Sequence, residues 1–288
     1  MERLSDVEAR LGTVDQLSAV ITAMRGMAAA RSREAMGRLG GIRRYAATIG
    51  GAIGEALALL PEADADFGAA ASKGVGGHAV VALCAEHGFT GVFSEHVLAA
   101  AEALFKDPAH DLLFVVGDRG LNVAAMRNLT PAWTTGMIGH AAEAATAAER
   151  IAEALYRRLD AGEIALVSLV HARPGGVSVD IVTKRLVPFD FARFPRQAGR
   201  DGALVNLPPR RLAERLAEEY VFAELAEAVT LSFAAENEAR MRAMLRAHDN
   251  VTDMLGNLGA EARQLRQSEI TSEIAGFAVA TLAEARRR

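Results

Sequence analysis

The chain has 288 residues, of which 51% are hydrophobic and 24% are charged, a composition typical of a globular protein and not of a disordered one. Its formal net charge of −4 gives no overall attraction to nucleic acid or to an anionic membrane surface. The only cysteine, Cys84, excludes an intramolecular disulfide and a cysteine-based metal site, and it favours a reducing, cytoplasmic compartment.

The sequence also argues against secretion and against membrane insertion. The residues from Met1 to Asp6 contain no apolar signal core, so we expect no secretion signal. No uninterrupted apolar run approaches about 20 residues, so we expect no direct membrane span. A local basic patch is still present at Arg286 to Arg288.

Proline positions divide the chain into three regions. All eight prolines lie between Pro61 and Pro209. Because proline inside a helix costs about 3 kcal/mol, the two proline-free ends predict two long helices around a central domain. The predicted segments are an N-terminal coiled-coil helix at 1–60, a linker at 61–77, an α/β domain at 78–207 and a C-terminal coiled-coil helix at 208–288.

The N-terminal segment carries apolar residues at spacings of three or four, which is typical of the narrow seam of a coiled coil. The series consists of Leu4, Val7, Leu11, Val14, Leu17, Ile21, Met24 and Ala28. The pattern weakens after Ala35, and the glycine pairs Gly40-Gly41 and Gly50-Gly51 are candidate bends.

The C-terminal segment shows the same alternation after a helix start at Pro208-Pro209. Its seam residues are Met241, Met244, His248, Val251, Leu255, Leu258, Ala262 and Leu265. One helix from Pro209 to the end would be on the order of 120 Å long, which a compact domain does not contain. We therefore expect it to pair with the N-terminal helix as a long antiparallel coiled coil.

The middle of the chain alternates between strand and helix patterns, which predicts a small α/β domain with a largely parallel sheet. The predicted strands are His78–Cys84, Leu112–Val116 and a pair, Ile164–His171 and Val177–Val182, joined by a turn at 174–176. The predicted helices are Ser94–Phe105 and His140–Leu159.

No motif in the sequence predicts catalysis, a cofactor or a metal. The segment from Gly117 to Gly120 follows a strand but matches neither glycine-rich phosphate-binding pattern, so we interpret it as an ordinary turn. The pairs Glu86-His87 and Glu95-His96 lack the spacing of metal ligands. We expect a protein that is not an enzyme.

Two long segments carry a family resemblance. The first, from Leu11 to Met36, reads LGTVDQLSAVITAMRGMAAARSREAM. The second, from Glu236 to Ile274, reads ENEARMRAMLRAHDNVTDMLGNLGAEARQLRQSEITSEI. Both resemble the gamma subunit of F-type ATP synthases, in which the terminal helices form an antiparallel coiled coil around a Rossmann-like α/β domain.

The resemblance implies a function and partners. A gamma subunit is the non-catalytic rotor shaft of an ion-transporting two-sector ATPase, and it couples rotation of the membrane ring to ATP synthesis or hydrolysis. The implied partners are the alpha and beta subunits, epsilon and the ring of c subunits, at the cytoplasmic face of the bacterial inner membrane. The implied contacts with beta are Arg240, Arg266, Gln267 and Thr271; without the resemblance, these residues would be interpreted as a solvated helix face.

The sequence also departs from the family pattern. Cys84 to His96 reads CAEHGFTGVFSEH where the family has an Asp-Arg-Gly-Leu-Cys-Gly-Gly stretch, and Gly276 replaces a late glutamate. These departures indicate a divergent gamma subunit. One interpretation is that it belongs to a second, alternative F-type complex. Two other classes stay open at this point: a coiled-coil scaffold, and an α/β enzyme with helical dimerisation arms. The coupling ion, proton or sodium, and the direction of ATP turnover are open as well.

Overall fold

The computed structural model describes residues 3–61, 76–106, 110–176, 178–196 and 205–285. Most of the predicted linker 61–77 and the basic patch 286–288 lie outside these ranges. Packing divides the chain into unit 1, which is Met1–Met27 with Met241–Arg288, and unit 2, which is Ala28–Arg240. The boundaries predicted at 60, 77 and 207 stay predictions of domain organisation.

Two long helices form the ends of the chain, as predicted. Helix α1 runs from Leu4 to Ala58 and helix α5 from Pro209 to Ala285. The glycine pairs considered as bends are helical throughout. The nearby Gly54 has a packing role instead, because a Cβ there would lie 2.6 Å from the carbonyl oxygen of Pro195.

The sheet of unit 2 has five strands in the order β3-β2-β1-β4-β5. The strands are β1 Gly77–Leu83, β2 Leu112–Val116, β3 Trp133–Thr135, β4 Ile164–Gly175 and β5 Ser178–Val187. Strands β1 to β4 are parallel, and β5 returns antiparallel to β4. The prediction of an α/β fold with a largely parallel sheet is confirmed.

Three shorter helices connect the strands. They are α2 Phe93–Glu102, α3 Asp118–Met126 and α4 Ala144–Asp160, the last preceded by a 3-10 turn at Ala141–Glu143. Helix α3 corrects the interpretation of Gly117 to Gly120 as an ordinary turn. Strand β3 was not predicted, because three residues carry too little alternation to be recognised.

Alternate residues of the strands face two separate apolar cores. Val81 and Leu83 of β1 belong to the core that α4 covers, whereas Val80 and Ala82 belong to the core that α2 and α3 cover. The α5 segment 221–240 adds to both cores and has no exposed residue along its length. A helix segment without an exposed face acts as a central element of its domain.

Candidate partner-binding surfaces

Two apolar clusters join α1 and α5 within unit 1. Their buried members are Val7, Leu258 and Ala262 in one cluster, and Ile21, Met244 and Val251 in the other. Their half-buried members are Leu4, Leu11, Val14, Leu265, Met24, Ala247 and Leu255. The residue numbers rise along α1 while they fall along α5, so the two helices are antiparallel. Met241 is half-buried and belongs to neither cluster.

One position of the predicted seam is wrong. Leu17 is 49% exposed, and Ser18 is the half-buried residue at that level of α1. The seam therefore steps by four residues from Val14 to Ser18 and by three to Ile21, which keeps the regular alternation of a coiled coil. Apolarity pointed to Leu17, whereas the helical period places the smaller Ser18 against the neighbouring helix.

The seam ends at Leu265, and α5 continues well past it. All described side chains from 266 to 278 are exposed. Ile270 and Ile274, one turn apart, are 52% and 63% exposed. The neighbouring face of the same turns is polar and carries Gln267 and Thr271. An apolar stripe exposed over successive turns marks a binding surface, because its exposure to water is unfavourable.

Three of the four predicted beta contacts lie on this end of α5. Arg266 pairs with Glu8 of α1 at 2.6 Å, with side chains 60% and 48% exposed. Such an exposed ion pair contributes at most about 1 kcal/mol, so the guanidinium can exchange it for another carboxylate. The Thr271 hydroxyl donates to the carbonyl oxygen of Gln267 at 2.7 Å, and both side chains face solvent.

The fourth residue, Arg240, lies inside unit 2 and is only 7% exposed. Its guanidinium pairs with Glu236 at 2.5 Å and donates to the side-chain oxygen of Asn237 at 3.2 Å. It also donates to the carbonyl oxygens of His87 and Gly88, both at 3.3 Å. The interpretation as a solvated helix face is wrong for this residue, and its contact with beta stays a prediction.

The Arg240 network continues through the loop that follows β1. Glu236 is 2% exposed, and its carboxylate accepts the backbone N–H of Glu86 at 3.2 Å. Burial raises the pKa of Glu236, and the ion pair with Arg240 opposes that shift without cancelling it. The Glu86 carboxylate in turn accepts the N–H groups of Met137 at 2.6 Å and Asp118 at 3.3 Å. Three distant segments thus meet at the carboxyl end of the sheet.

The sequence did not predict this network. The spacing of Glu236 and Arg240 by four residues is a signal for a helical ion pair, but not for its burial. Glu86, considered only as a metal ligand, instead accepts hydrogen bonds from the backbone. Among the described residues, no group of His, Cys, Asp and Glu is arranged to hold a metal ion.

The glycines after β2 serve packing. A Cβ on Gly120 would lie 2.3 Å from the Cβ of Cys84, so the helix α3 can approach β1 only with glycine there. Gly117 has a φ of 104°, a conformation that side chains disfavour. Burial raises the pKa of the Cys84 thiol to about 12, so this cysteine stays protonated and unreactive at neutral pH.

A second polar cluster lies where the β4–β5 hairpin packs on the helices of unit 2. Glu224, 6% exposed, pairs with Lys184 at 2.7 Å and Arg193 at 3.0 Å. Glu224 and Lys184 line a cavity of about 200 Å³, and His171 lines it as well. Burial lowers the pKa of the His171 imidazole. The ion pairs tie the hairpin to α5.

Comparison with known proteins identifies the family of this chain. The family model described as ATP synthase matches residues 3–278. The chain belongs to the ATP synthase gamma-chain family. The ATP synthase gamma chain of Solibacter usitatus is 27% identical over 283 residues, which is 95% of this chain and 96% of that one. The gamma chain of Clostridium botulinum strain Hall is 28% identical over 200 residues, 67% of this chain and 68% of that one.

Chains in solved ATP synthase structures share the fold at low sequence identity. A chain of the Euglena gracilis mitochondrial ATP synthase rotor has a TM-score of 0.62 at 14% identity, and the alignment covers 93% of this chain and 98% of that one. A chain of the Tetrahymena thermophila mitochondrial central stalk and c-ring has a TM-score of 0.53 at 16% identity, over 79% of this chain and 99% of that one. Family membership removes the scaffold and enzyme alternatives. No described helix of this chain has an apolar stretch sufficient to cross a bilayer.

Proposed function

We propose that this chain is the central rotor shaft of an F-type ATP synthase, a non-catalytic subunit that couples rotation of a membrane ring to ATP synthesis or hydrolysis at beta subunits. The observation that carries the proposal is the end of α5, where Ile270 and Ile274 are exposed beyond the last seam contact at Leu265. An apolar helix end of this kind requires a surrounding partner, and the ring of alpha and beta subunits is that partner.

Coupling follows from the asymmetry of this end of the chain. Past Leu265, α5 presents an apolar face and a polar face to the ring, so each orientation of the helix contacts the beta subunits differently. That difference is a coupling free energy between rotor angle and nucleotide affinity. The coupling is reciprocal, and ATP hydrolysis can therefore turn the shaft in the opposite direction.

The other partners and the location follow from the same assignment. The similar structures are described as rotor, central stalk and c-ring of mitochondrial ATP synthases. By analogy, unit 2 contacts the epsilon subunit and the ring of c subunits, and the complex moves ions across the membrane. The chain then acts as a peripheral protein at the cytoplasmic face of the bacterial inner membrane. Arg266, Gln267 and Thr271 supply polar contacts with beta.

The test is a polar double substitution at the helix end, Ile270→Asp with Ile274→Asp. Both side chains are exposed, so the melting temperature of the purified chain should stay unchanged. Recovery of alpha and beta subunits with the tagged chain should fall sharply, because two carboxylates would have to be buried in the ring.

The matched control is Ile270→Leu with Ile274→Leu, which keeps the apolar surface and should retain the ring. Equal recovery of alpha and beta subunits with the Asp variant and the wild-type chain would refute the role of this helix end. Failure of the wild-type chain to recover them at all would refute the proposed function.

A further inference from the structure

The loop between β1 and α2, residues 84–92, holds one exposed aromatic side chain in an unfavourable backbone conformation. Phe89 is 66% exposed and has a φ of 61°. The left-handed region is rarely occupied by bulky residues, and this chain otherwise places only Asn128 there among the described non-glycine residues. Packing against the residues that the structure describes does not explain an exposed phenylalanine at this position.

The buried guanidinium of Arg240 holds the backbone on the N-terminal side of Phe89. Its Nε and one terminal nitrogen donate to the carbonyl oxygens of Gly88 and His87. Glu236 balances the buried charge, and its other carboxylate oxygen accepts the N–H of Glu86. Arg240 and Glu236 together therefore fasten three consecutive residues of the loop to α5.

The C-terminal side of Phe89 is fastened as well. Thr90 is only 6% exposed, and the hydroxyl oxygen of Ser94, at the start of α2, accepts the backbone N–H of Ala85 at 3.2 Å. Phe89 is thus an exposed residue between two held segments of backbone, residues 86–88 on one side and Thr90 to Ser94 on the other. Conformational strain that the surrounding structure enforces is typical of functional positions, and rigidly presented aromatic side chains are typical anchors of protein interfaces.

We infer that Arg240 is a positioning residue, whose buried guanidinium fixes the loop 84–92 so that Phe89 projects as an apolar anchor for a subunit of the alpha–beta ring. This inference rests on the proposed function. It assigns Arg240 an indirect role instead of a direct contact with beta. The ring is the favoured partner because Arg240 is the last α5 residue of unit 2, and the next residue, Met241, begins the segment that the proposed function places within the ring.

Two substitutions separate anchoring from folding. Phe89→Asn removes the aromatic ring and places in the left-handed region a residue that tolerates it, so the melting temperature should not fall. Arg240→Lys keeps a cation beside Glu236 but loses the planar fork that reaches two carbonyl oxygens, so it should lower the melting temperature. Met126→Asn is the matched control, since Met126 is also 66% exposed in unit 2.

The experiment measures the dissociation constant of the purified full chain for the purified alpha–beta ring, together with the melting temperature of each variant. We expect Phe89→Asn to weaken binding about tenfold or more, as for an interface anchor, and Met126→Asn to leave it unchanged. Arg240→Lys should weaken binding in the wild-type background but not further in the Phe89→Asn background. Its effect on the melting temperature should be the same in both backgrounds.

The outcomes distinguish the two proposals. Absence of ring binding by the wild-type chain would refute the proposed function. Wild-type binding with an unchanged dissociation constant for Phe89→Asn would overturn this inference alone. An equal loss of ring affinity for Met126→Asn would also overturn it. The same holds if Arg240→Lys weakens ring binding as much in the Phe89→Asn background as in the wild-type background. The inference would also be overturned if Phe89→Asn weakened binding to the purified epsilon subunit and left binding to the ring unchanged.

Discussion

Leu258→Pro tests whether unit 1 depends on a continuous α5. Leu258 is 5% exposed and packs with Val7 and Ala262 in the seam. Proline inside a helix removes a backbone hydrogen bond and clashes with the preceding turn, at about 3 kcal/mol or more. Loss of the buried leucine contacts adds roughly 2 kcal/mol. We expect unit 1 to be destabilised by about 5 kcal/mol, enough to unfold a pair of helices held by two small clusters.

Hydrogen exchange measured by mass spectrometry resolves the effect along the chain. Amides of 241–265 should lose protection, whereas strands β1, β2 and β4 should keep it, because Leu258 belongs to neither core of unit 2. Met254→Pro is the matched control, since Met254 is 47% exposed and its replacement damages only the backbone. The reasoning is refuted if Leu258→Pro leaves unit 1 as protected as in the wild type, or if both substitutions cost the same.

Three further predictions concern the polar contacts, the buried histidine and the packed glycine. Replacing Arg266 and Gln267 together by alanine should leave the melting temperature within about 2 °C of the wild type and lower the ATPase rate of the assembled complex, since both side chains are exposed; an unchanged rate would count against their contact with beta. Burial lowers the pKa of His171 below its usual 6.5, so the unfolded chain binds more protons and the free energy of unfolding should fall as pH drops through about 6.5. His171→Gln should flatten that dependence in denaturant titrations, and an equally steep dependence would exclude this histidine as its source. Gly120→Ala should destabilise unit 2 by about 1–3 kcal/mol, because its Cβ would overlap Cys84, and unchanged urea unfolding would show that α3 can move aside.

The coiled coil could be predicted from sequence because each helix buries only one stripe. Proline positions gave the extent of α1 and α5, and the spacing of apolar residues gave most of the seam. The exception at Leu17 shows the limit of this reasoning, because the geometry of the helix and not hydrophobicity alone selects the residue that faces the partner. Along 221–240, every residue of α5 is buried or half-buried, so no single apolar stripe stands out there to be recognised.

The buried network could not be predicted in the same way. Glu86, Glu236 and Arg240 come from segments about 150 residues apart in sequence, and only the folded sheet brings them together. Each is charged, and charged residues are expected at the surface unless they are paired. The unpredicted helix α3 has a related cause, since Gly120 is selected by the closeness of Cys84 and not by a turn.

The central position of α5 in unit 2 has a consequence for biosynthesis. All five strands have been synthesised once Val187 has been made, yet Leu225, Val229 and Phe233 of α5 complete the core on one face of the sheet, and Ala235 adds to the other. The nascent chain therefore carries a sheet with incompletely covered faces until more than four-fifths of translation is over. Such an intermediate exposes apolar surface and is prone to aggregate. A ribosome-stalled chain ending before α5 should accordingly bind chaperones that recognise apolar segments, and one extended past Arg240 with room to clear the exit tunnel should release them.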